Sequence, residues 1–190
     1  VEIDGEHSAG AVSLLDERWK RRRVGLAAGS TADVAQPLLS PLYYLRRALQ
    51  PFAEVREAQP ARGDPILSLL EDRLSVLVLA DIGVLSGKAR EEVLRFVNDG
   101  GVLLRFAGTR LAGSSDDLVP VRLRRGGRVL GGALSWDQPK QLASFPAESP
   151  FAGLVVPQEV TITRQVLAEP DANLPSRTWA QLADGRLASG

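Results

Sequence analysis

The sequence predicts an α/β fold: an open, mainly parallel sheet flanked by helices, with a β-rich C-terminal extension. Three observations lead there. Residues 74–81 (Leu-Ser-Val-Leu-Val-Leu-Ala-Asp) are a short run of Val and Leu, as a strand covered on both faces requires. Residues 86–97 put Ala89, Val93, Phe96 and Val97 on one helical face and charges on the other. Residues 102–108 are a second apolar run, also expected to be buried. Strand, helix and strand joined by short loops make a βαβ unit, with parallel pairing and a right-handed crossover. Ser86 is the expected N-cap of the helix. Gly100 and Gly101 end it, because glycine takes the left-handed conformation at little steric cost.

Composition narrows the function classes. A chain of 190 residues can bury one sizeable core. Its 44% hydrophobic and 24% charged content is that of a globular protein. Lys+Arg and Asp+Glu both number 23, so no net field draws the chain to nucleic acid or an anionic membrane. The absence of cysteine excludes disulfides, thiolate metal sites and cysteine nucleophiles. A single histidine, His7, excludes a multi-histidine metal site. No metal or cofactor is expected. No apolar run is long enough to span a bilayer. Met is absent even at position 1, which reads as a processed or excised piece of a longer protein.

In chain order, residues 1–22 form a lead-in, 23–118 the α/β core and 119–190 the extension. The lead-in holds a weak strand signal at 1–5 and a run at 11–15 that reads as a strand or a short helix. Its basic run, 18–23, is broken by Trp19 and reads as a solvated approach to the first strand. Residues 23–29 are the first core strand. Pro37 and Pro41 interrupt the next stretch, so the main helix is expected over 42–49, with Leu42, Leu45 and Leu49 inward and Pro51 as its stop. Residues 53–57 alternate like an edge strand, 59–65 are a loop, and 66–70 a short helix packed near the 74–81 strand. In the extension, 119–124 and 129–136 flank Gly126-Gly127 as a predicted hairpin. A proline-containing loop spans 137–157, a strand 160–168 and a last strand 177–182.

In an open parallel sheet, ligands bind at the carboxyl ends of the strands. Three turns belong there: Ser30 and Thr31 after the first strand, with Asp33; Asp81 after the second core run, with Gly83; and Gly108, Thr109 and Arg110 after the third, continuing into 114–117. Ser30, Thr31, Asp81, Gly108, Thr109 and Arg110 are thus the candidate crevice. Hydroxyls, helix-start amides and one guanidinium favour a small anionic or hydroxylated ligand. Each residue also has a structural reading: Ser30 and Thr31 as helix caps, Asp81 as a turn residue, Arg110 as the partner of Asp116 or Asp117. The Gly29-Ser30-Thr31 turn lacks both the P-loop lysine and the G-x-G-x-x-G pattern.

The strands ending at Asp81 and Gly108 resemble those of the class I glutamine amidotransferase-like fold, which implies a flavodoxin-like sheet. In that family the second strand leads into a Gly-x-Cys-x-Gly elbow. Here the turn reads Phe106-Ala107-Gly108-Thr109-Arg110, and no histidine follows residue 7, so no catalytic residue carries over. Segments 15–19, 105–111, 130–136, 149–153 and 177–185 are similar to those of a large bacterial family. Its members join aerotolerance-regulator-like membrane helices, an amidotransferase-like middle and a C-terminal domain of unknown function. The resemblance implies a non-catalytic binding or interaction module in a membrane-anchored protein. Its partners would be another protein or neighbouring domains of the same chain, with no nucleic acid, and with membrane contact only through segments outside this chain. The competing expectation is a hydrolase or transferase with Thr109 or Ser30 as nucleophile and Asp81 nearby.

Overall fold

Four short strands and three helices carry the first half of the chain in the computed structural model, which describes residues 21–29, 40–59, 63–113, 116–124 and 133–183. Strand β1 is Arg22–Ala28, helix α1 Pro41–Leu49, β2 Ala53–Glu57, α2 Pro65–Leu70, β3 Val76–Ala80, α3 Gly87–Asn98 and β4 Val102–Phe106. The sheet order is β2-β1-β3-β4. The β1 and β2 strands are parallel, in a register that sets Arg23 opposite Glu54 and Val24 opposite Val55. The β3 and β4 strands also run together. Val102 N donates to Ser75 O at one end (3.1 Å), and Asp81 N donates to Phe106 O at the other (2.9 Å). The α/β class and its mainly parallel sheet therefore stand.

Local chemistry places the helices. Ser40 caps α1 by accepting from Leu42 N, and Pro41 supplies a φ already suited to the first turn. Asp64 caps α2 through Ile66 N and Leu67 N, with Pro65 next. Helix α3 ends where Gly100 takes φ 93°. Leu42, Leu45 and Leu49 pack as expected, against a cluster of Val24, Leu26, Ala53 and Val78. Leu26, Leu77, Leu79 and Val93 are fully buried, so β1 and β3 are the covered strands.

The expectation of a second fully buried strand fails at β4. Val102, Leu104 and Phe106 are 55%, 46% and 46% exposed. The reason is position: β4 ends the sheet order, and apolar content alone does not distinguish an edge from a centre.

The chain divides into two compact units: Val1–Leu79 with Lys88–Leu104, and Ala80–Gly87 with Arg105–Gly190. The second unit holds a short helix, α4 (Thr109–Ala112), and two antiparallel strands, β5 (Ala133–Lys140) and β6 (Ile162–Val166). Three details of the extension differ from expectation. Residues 137–140 continue β5 instead of opening a loop. Leu123 bridges to Ala168, so residues 119–124 meet the end of the 160–168 run. Pro175–Arg177 is a 3-10 turn, and only Leu182 of the supposed last strand makes a bridge, to Leu142. A strand's partner is a nonlocal choice, which alternation cannot reveal. The lead-in strands, Asp33 and the Gly126-Gly127 turn lie outside the described residues.

Candidate functional site

Strand β3 is followed by Asp81, whose φ of 49° turns the chain sharply. This left-handed conformation is tolerated by Asp better than by most residues. It aims the carboxylate at the turn after β4. There Oδ1 accepts three backbone N–H groups: Gly108 at 3.0 Å, Arg110 at 3.1 Å and Leu111 at 3.1 Å. These are the donors that open α4. Gly108, its N-cap, has no side chain to serve them. Asp81 thus acts as the cap from 27 residues upstream.

The fit leaves no spare room at Gly108. A Cβ there would sit 2.5 Å from the Asp81 carboxyl carbon. The glycine is needed for this close approach, at a φ of −127° that any residue can adopt.

A second charged cluster lies in the same unit. Arg105 and Asp116 form an ion pair with side chains 4% and 1% exposed. Arg105 Nη2 also donates to Ile82 O at 2.6 Å and Gly83 O at 2.7 Å. Asp116 accepts from Leu85 N at 3.3 Å and Leu118 N at 2.9 Å. The pair therefore ties the 82–85 loop to the 116–118 loop. Nearly all of its charge is met by protein groups, as a buried pair requires. Arg105 Nε is buried with no hydrogen-bond partner among the described residues.

The Asp81 carboxylate therefore holds Gly108 and Arg110 of the expected crevice, with Thr109 between them in the chain. Thr109 and Arg110 are exposed. Ser30 and Thr31 lie outside the described residues. Of the two carboxylates expected as partners of Arg110, Asp116 is paired with Arg105. The arginine was readable as a signal: a lone charge within Val-Leu-Leu-Arg-Phe needs a nearby carboxylate if its strand packs.

Sequence reasoning missed a cleft of about 890 Å³ between residues 116–123 and 169–177. Its lining includes Asp117, Arg122, Glu169, Asp171 and Arg177, a mixture of both charges. Arg177 Nη1 donates to Pro120 O at 2.9 Å and braces one wall. The cleft could not be foreseen, since its two walls are separated by about 50 residues of sequence. Among the described residues, no group of three or more His, Cys, Asp or Glu side chains could hold a metal ion. No helix among them is long and apolar enough to cross a membrane.

No protein-family model, curated protein or solved structure matches this chain.

Proposed function

We propose that this chain is a catalytically silent, flavodoxin-like domain of the class I glutamine amidotransferase-like type. It serves as a binding or interaction module within a larger, membrane-anchored bacterial protein. One observation carries the reading: in the turn where an amidotransferase would present its nucleophile, the nearby carboxylate is engaged in holding the backbone. Asp81 Oδ1 is spent on three backbone amides, and Gly108 is packed against that carboxylate. A hydroxyl nucleophile needs a base within hydrogen-bond reach. Asp81 is the carboxylate of this turn, and its Oδ1 already accepts those three amides. Thr109 opens α4.

Further support comes from topology and surface. The strand order reverses between β1 and β3, as flavodoxin-like sheets do at their ligand edge. Arg110 is exposed in the turn after β4 and suits a small anionic or hydroxylated ligand. The cleft lined by Arg122, Glu169, Asp171 and Arg177 offers a second, mixed-charge surface for a partner protein or a neighbouring domain.

Two assays test the reading. The purified domain should release no ammonia from glutamine; steady release abolished by Thr109→Ala would replace the module with a hydroxyl-nucleophile enzyme. Separately produced flanking segments of the parent protein should bind the domain in titration calorimetry, and Arg122→Glu with Arg177→Glu should weaken that binding. Binding indifferent to both substitutions would remove the cleft from the proposal.

A further inference from the structure

The cleft between residues 116–123 and 169–177 carries an inference that rests on the module reading and names what a partner presents there. Its two walls meet in a short antiparallel ladder. Leu123 bridges to Ala168. Arg124 N donates to Leu167 O, and Glu169 N to Arg122 O, both at 2.8 Å. In that register Arg122 stands opposite Glu169, and their side chains share a face with Cβ atoms about 5 Å apart. Opposite charges so placed ordinarily pair. These do not: among the described residues, neither side chain has a hydrogen bond or an ion pair.

The other charges of the cleft are partly or wholly used. Asp116 is paired with Arg105, and Asp117 has a partner of its own. Asp171 spends Oδ1 on Asn173 N, at 2.7 Å. Arg177 spends Nη1 on Pro120 O, and that bond holds the two walls in place before anything binds. Val119, Val121 and Leu174 lie among these groups, half-buried.

We infer that the cleft takes an extended peptide segment of a partner protein, with one basic and one acidic side chain two residues apart and apolar residues beside them. Charge complementarity selects this occupant. A polyanion would meet Glu169 and Asp171, and a polycation would meet Arg122 and Arg177. A segment bearing both signs satisfies Arg122 and Glu169 together. In an extended chain, residues two apart lie on one side at roughly 7 Å, so one charge reaches Glu169 while the other reaches Arg122. Size agrees. At about 890 Å³ the cleft is near the top of the roughly 300–1,000 Å³ range of ligand sites, and a single amino acid would leave most of it empty. The apolar residues of the segment have Val119, Val121 and Leu174 to cover. Walls already braced by Arg177 reduce the ordering that binding must impose.

Three blocked pentapeptides test this, acetyl-Leu-X-Val-Z-Leu-amide with X and Z as Lys and Glu, Lys and Lys, or Glu and Glu. Titrated into the whole chain and followed by amide NMR shifts, the Lys/Glu peptide should move Arg122, Leu123, Ala168 and Glu169. It should bind about fivefold tighter than either like-charge peptide, the worth of one exposed ion pair. Rising salt should narrow that preference. Single charge reversals should redirect it: Glu169→Lys towards the Glu/Glu peptide, and Arg122→Glu towards the Lys/Lys peptide. Both side chains are exposed, and circular dichroism checks that the variants fold. Equal or absent binding of the three peptides, shifts confined to residues outside the cleft, or preferences that survive both reversals would each overturn the inference. The outcome is separate from that of the module reading. Flanking segments that bind through the cleft while the peptides show no preference would sink this inference alone. Flanking segments that fail to bind while the preference and its reversal hold would sink only the assignment of the partner to the parent protein.

Discussion

Replacing Asp81 by Ala removes an acceptor that serves three amides and tests whether the carboxylate holds the turn after β4. Loss of a helix cap costs about 1–2 kcal/mol. Alanine also tolerates the φ of 49° less well than aspartate, whose short polar chain suits the left-handed region, adding on the order of 1 kcal/mol. The sum is about 2–3 kcal/mol. For a chain of this length each kcal/mol shifts Tm by about 2–4 °C, so Asp81→Ala should melt roughly 5–10 °C lower. Asp81→Asn keeps an oxygen and the backbone tolerance and loses only the charge. A neutral acceptor is roughly half as strong as a charged one, so this variant should lose about 1 kcal/mol. Thermal melts by circular dichroism measure both. Amide hydrogen exchange localises the effect, with Gly108, Arg110 and Leu111 expected to lose protection in the alanine variant. Equal losses in the two variants would show that the oxygen is not what matters. An alanine variant with unchanged melting and exchange would refute the capping role altogether.

Gly108→Ala forces a methyl against the Asp81 carboxyl carbon and should destabilise by about 1–3 kcal/mol. Combined with Asp81→Ala, which vacates that space, the double variant should lose measurably less than the sum of the singles in denaturant titrations. Arg105→Ala strands Asp116 in a buried site and should cost about 3–5 kcal/mol, while Arg105→Met with Asp116→Leu should recover much of the loss. No recovery in the double variant would count against the ion pair as the cause. Glu54 lies between Arg23 and Arg56; the hydrogen bond from Arg23, then that from Arg56, holds its carboxyl below the usual range. Its folded-state pKa is depressed, so the stabilisation is present above the unfolded pKa and fades as pH falls through the folded one. Unfolding titrations should show a small acid-side loss that Glu54→Gln abolishes and that salt diminishes.

Much of the first unit was readable because its instructions are local. Three leucines spaced along α1 point to one face, and Gly100 ends α3 within one turn; the caps Ser40 and Asp64, equally local, were overlooked. The alternation of Val-rich strands with helical periodicity likewise dictates parallel pairing, because a parallel connection needs a crossover. The carboxyl-edge candidates Asp81, Gly108, Thr109 and Arg110 come from that topology alone.

The role of each of those residues was decided by the tertiary structure. The cap on α4 comes from Asp81, far upstream, since Gly108 has no side chain and the carboxylate arrives only when β3 lies beside β4. Asp116 chose Arg105 over Arg110 because burial on the sheet demands a partner for the strand's own charge, whereas a guanidinium in water demands none. The exposure of β4 is set by strand order, and strand order is a property of the whole chain. Sequence alone determines which residues want to leave water; the order of the strands determines which of them succeed, and β4, as an edge, leaves Val102, Leu104 and Phe106 in contact with it.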